Sequence, residues 1–348
     1  MEFSFYLPCY WPDMRVSART MYGEMLEQAV AAEQLGYATL AIPEHHFINY
    51  LTHPNPLMTA IKVADATKAI PLITAVLVLP FFDMRRLAGE IALADNLTDG
   101  RIQLGVGRGA FRYEFDRFGV AVEESREKFD ESLALLEALL TREDVSWQGK
   151  WYDFAPLTIT PRPLQAPHPP IWIAALAPVA IYHSVMKGYH VMTTPLRDPF
   201  EAAKAQAEGF FKAVEELGPA GAGRRLSMLR MLYIARDDDD TRDKLEIAHE
   251  NHRRFCNVFD TSGQVTGGAI APIDVKESVE DMGETLLIGT AEQVIEKLVP
   301  YAELGIHDLM LNMSFGAAHR DVMDSMTRFV RDVQPHVASI GRRLVAPA

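Results

Sequence analysis

The residues with the clearest capacity for chemistry are Glu44, His45 and His46, which follow a short apolar run. Imidazole titrates near neutral pH, so a histidine can serve as an acid, a base or a hydrogen-bond donor. A metal site is one alternative for this cluster, although adjacent side chains of an extended backbone point in opposite directions and do not easily close on one ion. A purely structural role at the end of a strand is the other alternative.

A glycine-rich segment at residues 105–110 (GVGRGA) is the second candidate. It fits the loose pattern G-x-G-x-x-[GA] that follows a strand in dinucleotide-binding proteins. Such a unit returns to a parallel strand within about 30 residues, but the next convincing strand here begins near residue 170, so we reject that interpretation. The segment is then either a tight turn or a loop that brings its backbone close to an anionic ligand, with Arg108 supplying positive charge.

Four junctions between a predicted helix and a predicted strand, at Gly36, Gly100, Gly188 and Gly305, indicate the secondary structure that positions these candidate residues. At each junction an amphipathic segment ends at the glycine and a short apolar run follows. Glycine is favoured just past a helix C-terminus because the chain adopts a left-handed conformation there. Junctions of this kind connect helices to strands in proteins built from βα repeats.

Eight strands alternating with helices predict a single (β/α)8 TIM-like barrel, an α/β fold. Periodicity alone leaves a doubly wound sheet as the alternative. The predicted strands are 3–7, 38–42, 71–79, 102–106, 170–174, 189–193, 228–234 and 307–312. The predicted helices lie near 20–35, 54–67, 83–97, 123–140, 178–187, 199–217, 239–255 and 290–304. Active sites of such barrels lie at the carboxyl ends of the strands, so the acid, the imidazoles and Arg108 should converge at one face.

Two stretches, 142–169 and 257–288, interrupt the alternation. Long insertions in a barrel are often loops over the active site, and we expect both to cover the catalytic face. A disordered solvent loop is the alternative for the second stretch. We therefore expect residues 1–348 to form one barrel domain with two insertions.

Composition narrows the class of protein. The chain has 348 residues, a net charge of −13, 48% hydrophobic and 23% charged residues, as a water-soluble globular protein does. Its acidity argues against nucleic-acid binding, and two cysteines exclude a disulfide framework. No apolar run approaches the roughly 20 residues that span a bilayer, and no signal peptide is visible. We expect a cytoplasmic protein without membrane association.

Several separated motifs together resemble the bacterial luciferase-like flavin monooxygenase family over nearly the whole chain. They are Glu44–Phe47 (EHHF), 74–80 (TAVLVLP), 97–109 (LTDGRIQLGVGRG), 118–120 (FGV), 161–163 (PRP), 169–174 (PPIWIA), 288–294 (IGTAEQV) and 304–306 (LGI). The resemblance implies a barrel, usually dimeric, that takes reduced FMN from a separate flavin reductase. It also implies that the enzyme activates O2 as a flavin C4a-hydroperoxide and oxygenates a small organic substrate.

The same resemblance assigns residues. His45 would sit beside the reactive edge of the flavin as a hydrogen-bonding or acid–base residue, with Glu44 and His46 as supporting neighbours. Ala75 and Val76 would form a non-prolyl cis peptide under the flavin ring. Gly107 and Arg108 would lie at the flavin, with Arg108 meeting its phosphate or its ring, and no metal is expected.

The segment after the fifth strand departs from the family pattern. The family commonly has small Gly or Ser residues, or Glu-Ser, that contact the phosphate there, whereas this chain has Ala175, Leu176 and Ala177 without a hydroxyl. Backbone N–H groups at a helix N-terminus can still hold a phosphate. Two alternatives follow: a hydride-transfer oxidoreductase that uses the deazaflavin F420, which shares the barrel, and a non-catalytic flavin-binding subunit.

Overall fold

The computed structural model describes residues 1–338 and 340, and eight parallel strands close into a barrel. The strands are β1 (Glu2–Tyr6), β2 (Leu40–Ile42), β3 (Leu72–Thr74), β4 (Ile102–Gly107), β5 (Ile171–Ala174), β6 (His190–Thr193), β7 (Leu226–Ile234) and β8 (Asp308–Asn312). Each strand pairs in parallel with the next along the chain, and β8 pairs with β1. The predicted (β/α)8 barrel is confirmed, and every predicted strand is present.

Helices surround the barrel and follow the predicted positions closely through residue 217. They are α1 (Ala18–Leu35), α2 (Pro56–Ala66), α3 (Met84–Leu97), α4 (Arg112–Phe118), α5 (Ser125–Thr141), α6 (Pro178–Met186), α7 (Phe200–Leu217), α8 (Asp238–Asp260), α9 (Val279–Thr285), α10 (Ala291–Glu303), α11 (His319–Arg328) and α12 (Gln334–Val337). The glycines at the four predicted junctions have φ angles of 81°, 73°, 93° and 76°, which confirms the left-handed turn expected there. None of the helices within the described residues is long and apolar enough to cross a membrane.

The helix α8 is not one of the outer helices of the barrel, although the alternation of predicted strands and helices places it there. The sequence pattern counts residues 239–255 among the eight barrel helices, but α8 lies over the carboxyl ends of the strands, where Asn251, His252 and Phe255 line the central cavity. The helix that leads into β8 is α10, and the eighth outer helix is α11, which packs against α1. Periodicity detects an apolar helix face without showing which surface buries it.

The insertion at 142–169 lies away from the catalytic face, contrary to the expectation from sequence. It contains an antiparallel pair of strands, Val145–Gln148 and Asp153–Leu157. The Gln165 side-chain amide donates to the Ile102 carbonyl (2.8 Å) at the first residue of β4. The insertion connects α5 to β5, and such a connection runs to the amino ends of the strands, opposite the active site.

The insertion at 257–288 contains regular helices and strands, unlike an irregular solvent loop. It contains the end of α8, a hairpin (Val265–Thr266 with Ala269–Ile270), α9 and the start of the strand Leu287–Gly289, which pairs with β7. The Ile270 N–H donates to Asn49 Oδ1 (3.0 Å), and the Asn49 N–H donates to the Gly268 carbonyl (2.8 Å). These bonds attach the hairpin to the loop after β2. Glu277 and Met282 line the cavity, so this insertion does cover the catalytic face.

The segment that continues β3, up to Leu77, contains one residue more than the part of β4 with which it pairs. Ile73 pairs with Gln103, whereas the next pairing joins Leu77, in the short strand Leu77–Val78, to Val106. Four steps along one strand therefore correspond to three along its neighbour, as at a β-bulge. Gly105 makes this close approach possible, because a Cβ there would lie 1.9 Å from the Thr74 carbonyl oxygen.

The barrel interior is filled by mainly apolar side chains, above which Tyr6 lines the cavity: Ala41, Ile73, Trp172, Met192 and Met310. A polar cluster lies nearer the amino end, where Asp308 accepts hydrogen bonds from Ser4 Oγ (2.8 Å) and Ser227 Oγ (2.5 Å). Burial raises the pKa of Asp308 from 3.8 to about 6, against the lowering effect of the two serines. The apolar side chains close the barrel, so that ligands can enter only from the carboxyl ends of the strands.

Candidate active site

A cavity of about 660 Å³ opens at the carboxyl ends of the strands. Small-molecule sites usually occupy about 300–1,000 Å³, so this cavity is large enough for a ligand. Most residues predicted from sequence line it: Glu44, His45, Ala75, Val76, Gly107, Arg108, Ala175, Leu176 and Ala177. His46 is the exception, since its ring packs against Phe118 (4.8 Å between centroids) behind the cavity wall.

Two carboxylates and two imidazoles form one network beside the cavity. Glu44 Oε1 lies 2.8 Å from His46 Nε2, and its other oxygen accepts from the Val78 N–H (3.0 Å). Glu114 Oε1 lies 3.1 Å from His45 Nδ1 and accepts from the His46 N–H (2.6 Å). Each buried carboxylate thus pairs with one imidazole and one backbone N–H, which is how buried charges are stabilised.

One ring nitrogen of His45 is hydrogen-bonded to Glu114, and the other has no partner among the described residues. Because a carboxylate only accepts, Nδ1 carries the proton that is shared with Glu114. Nε2 has no hydrogen-bond partner anywhere in residues 1–338 or 340. The ring stacks on Phe111, with centroids 4.3 Å apart and an interplanar angle of 16°. An oriented imidazole at a cavity wall can accept or deliver a proton at Nε2.

Glu44 has a perturbed pKa. Its carboxyl is only 2% exposed, and burial raises its pKa, while the hydrogen bonds from His46 and from the Val78 N–H act in the opposite direction. The negative charge of Glu114 raises the pKa of Glu44 further. Glu44 therefore contacts His46 and the backbone at Val78, whereas the carboxylate bonded to His45 is that of Glu114, and Glu44 is less acidic than an exposed glutamate.

Glu114, which bonds to His45, was not among the site residues predicted from sequence. It is the third residue of α4, a helix that is absent from the predicted elements, and its side chain is 1% exposed. The sequence does not distinguish Glu114 from Asp116, the other carboxylate of this helix. The role of Glu114 becomes visible only because α4 brings it within 3.1 Å of a histidine 69 residues earlier.

The peptide bond between Ala75 and Val76 is cis, as expected from the resemblance. Both residues line the cavity, and the Ala75 N–H donates to the Ile42 carbonyl on β2 (2.7 Å). Gly107 faces this segment from β4, where a Cβ would lie 2.7 Å from Val76 Cγ2. The glycine therefore leaves the space next to Val76 open.

Two arginines give the cavity a positive border. Arg108 follows β4 and Arg126 lies in the first turn of α5, and both line the cavity with exposed side chains. Neither makes a hydrogen bond or an ion pair with any residue that the structure describes. Ala177 caps α6 at the same border without a side-chain hydrogen bond. Arg108 lies in a motif and was predicted, whereas Arg126 lies in no motif that distinguishes it from other arginines on helix surfaces.

Of the other charged groups around the cavity, Arg197, His252 and Glu277 are paired, whereas the buried Arg230 donates only to the Leu196 and Thr285 carbonyls and its Nε has no partner among the described residues. Arg197 Nη1 lies 2.9 Å from Asp260 Oδ2 and 3.2 Å from Cys256 Sγ, and its Nε lies 3.8 Å from Glu277 Oε1. His252 Nε2 lies 3.4 Å from the other oxygen of Glu277. Within residues 1–338 and 340, no three His, Cys, Asp or Glu side chains converge as metal ligands.

Comparison with known proteins places this site in a family. The profile of the luciferase-like monooxygenases matches residues 1–308. The oxygenase component of a flavin-dependent trigonelline monooxygenase from Acinetobacter baylyi is 27% identical, over 96% of this chain and 95% of its own. The crystal structure of the monooxygenase RslO1 from Streptomyces bottropensis superimposes with a TM-score of 0.83 at 26% identity, covering 97% of this chain and 99% of its own.

An F420-dependent secondary alcohol dehydrogenase has the same fold, with a TM-score of 0.76 at 18% identity over 97% of this chain and 98% of its own. The fold therefore serves more than one flavin-type cofactor. The extent of the profile match and the sequence relatives decide the family. This chain belongs to the luciferase-like monooxygenase family and is an oxidoreductase.

Proposed function

We propose that this chain is the oxygenase of a two-component system, which receives reduced FMN from a separate reductase and places one oxygen atom of O2 on a small organic substrate. The observation that carries the proposal is a single cavity that joins an unpaired cationic border, Arg108 and Arg126, to a buried His45–Glu114 pair. The relative from Acinetobacter, which is named as an oxygenase component, supports the need for a partner reductase.

The residues present fit FMN. Arg108 and Arg126 are unpaired cations that match a phosphate, which arginine binds through charge-assisted hydrogen bonds. They also replace the hydroxyl groups that are missing at Ala175–Ala177. The backbone at Ala75 and Val76, opposite Gly107, offers an apolar surface for a planar ring system.

When bound and reduced, the flavin supplies the two electrons that allow O2 to react. One oxygen atom goes to the substrate, and the other leaves as water with two protons. His45 can transfer a proton at Nε2, because Glu114 holds Nδ1 and fixes the orientation of the ring. The mostly apolar cavity wall excludes bulk water from the reaction.

The first experiment measures cofactor binding under anaerobic conditions, with reduced FMN and reduced F420 titrated in parallel. We expect tighter binding of FMN. Loss of one charge-assisted hydrogen bond costs about 1.5–3 kcal/mol, so Arg126→Ala should weaken FMN binding roughly 10- to 100-fold. Arg320→Ala on the outer helix α11 is the matched control, and its FMN affinity should not change. Preference for F420, or no binding of FMN, refutes the proposal.

The second experiment measures turnover with the reductase present, using isotope-labelled O2 and mass spectrometry of a panel of small organic substrates. General acid–base catalysis contributes about 10²–10⁴-fold, so His45→Ala should lose that much activity while it still binds FMN. His168→Ala, in the insertion remote from the cavity, is the control. A wild-type chain that binds FMN but incorporates no label into any substrate is a carrier, and the proposed enzyme activity is then wrong.

A further inference from the structure

Three neutral polar side chains face the cavity without partners. Tyr6, Tyr50 and Asn312 are 5%, 8% and 9% exposed, and all three line the cavity. Asn312 Oδ1 is buried and accepts no hydrogen bond, and neither tyrosine hydroxyl has a partner among the residues described. Buried polar groups are almost always hydrogen-bonded in folded proteins, so these three point to a ligand that completes them.

The strand register brings two of them to one place. Tyr6 and Asn312 are the last residues of β1 and β8, which are parallel neighbours with Phe5 opposite Leu311. Tyr50, in the loop after β2, packs in the same buried cluster as Tyr6, and its ring centroid lies 6.3 Å from that of His45. Two hydroxyl groups and one amide therefore meet at the floor of the cavity, and each can both donate and accept a hydrogen bond.

Aromatic rings form the adjoining wall. Phe255 and Phe259 of α8 are stacked, with centroids 4.9 Å apart, and Phe111 lies 6.1 Å from Phe255. His45 stacks on the opposite side of this group through Phe111. A planar ring system would therefore make its largest contact with these phenylalanines, next to the residue that we assign to proton transfer.

Phe111, Phe255 and Phe259 carry no charge, and the buried Arg230, which also lines the cavity, donates to the Leu196 and Thr285 carbonyls and lies over the Tyr301 ring of α10 (5.6 Å to the centroid). Glu44 and Glu114 are paired with histidines, and Arg197 is paired with Asp260 and Glu277. In the proposed function, the two free arginines are occupied by the flavin phosphate. An ionised substrate would leave water without a counter-charge here, which is costly.

We infer that the substrate is an uncharged planar aromatic compound that carries a hydroxyl group. The ring lies against Phe111, Phe255 and Phe259, and the hydroxyl donates to Asn312 Oδ1 and accepts from Tyr6. This inference rests on the proposed function, because the arginines are free for a ligand unless a flavin takes them.

The test uses three probes that share one ring: 2-naphthol, naphthalene and 2-naphthoate. Each is titrated into the full-length protein saturated with FMN, and binding is followed by the fluorescence of the probe. One neutral hydrogen bond changes affinity by up to about tenfold, so 2-naphthol should bind about tenfold more tightly than naphthalene, and 2-naphthoate should bind more weakly than 2-naphthol. Tightest binding of 2-naphthoate, or equal binding of 2-naphthol and naphthalene, overturns the inference.

Variants assign the hydroxyl contact. Asn312→Leu and Tyr6→Phe should each lower the affinity for 2-naphthol several-fold and leave that for naphthalene unchanged. Tyr6→Phe removes a single oxygen, so it keeps the test valid if Asn312→Leu does not fold. Tyr37→Phe is the matched control, since Tyr37 is also 5% exposed but contacts Met313 outside the cavity. Normal 2-naphthol binding by both variants refutes the assignment. FMN affinity measured on the same samples reports separately on the proposed function.

Discussion

Asp308 is a buried carboxyl whose titration should make the stability of the barrel depend on pH. It is 6% exposed and lies between Ser4 and Ser227, with no basic side chain bonded to it among the residues described. Its pKa rises from 3.8 to about 6, mainly because burial penalises the charged form. The folded state therefore holds the proton more tightly than the unfolded state does.

The sign and the size of the pH dependence of stability follow from the linkage between proton binding and folding. A raised carboxyl pKa contributes stability at pH values below the unfolded pKa of 3.8, and this contribution is lost as the pH rises through about 6. A shift from 3.8 to about 6, at 1.36 kcal/mol per unit, amounts to about 3 kcal/mol. About 2 kcal/mol of this loss should fall between pH 4.5 and pH 8.

Asp308→Asn removes the titration and keeps the shape. The amide oxygen can accept from one serine, and the amide N–H can donate to the oxygen of the other. Equilibrium urea unfolding should show the variant more stable than the wild type at pH 8, and this advantage should shrink by about 2 kcal/mol at pH 4.5. Asp65→Asn, at an exposed position of α2, should leave the pH dependence unchanged. A constant difference between Asp308→Asn and the wild type at both pH values refutes the reasoning.

Three further outcomes follow from the contacts. Glu114→Gln should lower turnover about 10- to 100-fold and shift its pH profile, because His45 loses the carboxylate that orients it, whereas FMN affinity should remain unchanged; normal turnover contradicts the assigned role. Gly105→Ala should abolish folding or cost more than about 4 kcal/mol, because the new Cβ would lie 1.9 Å from the Thr74 carbonyl oxygen. Gly23→Ala in α1, with open space around it, should instead stabilise the protein by about 1 kcal/mol in the same urea experiment.

The barrel could be predicted from sequence because its signals are local. Gly36 and Gly305 each end a helix, and the apolar run that follows each of them is a buried strand. The order of helices after β7 could not be predicted in the same way. The amphipathic pattern of α8 is as regular as that of a barrel helix, and only tertiary packing shows that its apolar face covers a cavity.

The candidate site likewise contains residues that could be predicted from sequence and residues that could not. His45 and Arg108 stand in motifs directly after strands, where a barrel concentrates its chemistry. Glu114 and Arg126 have no comparable local signal, and Asn312 ends a predicted strand but belongs to no motif. Their significance comes from what they meet or fail to meet in three dimensions: a histidine 69 residues away, and the absence of any partner within residues 1–338 and 340.

The extra residue in the segment after β3 reverses the alternation of side chains along that segment. An ordinary strand shows every second residue to one face, yet Ala75 and Val76 both face the cavity. Beyond them the phase is inverted, so that Leu77 packs in the outer core and Val78 lines the cavity. A substitution at Ala75 or Val76 therefore changes the surface that a ligand meets. A substitution at Leu77 instead alters the packing of the barrel against its helices.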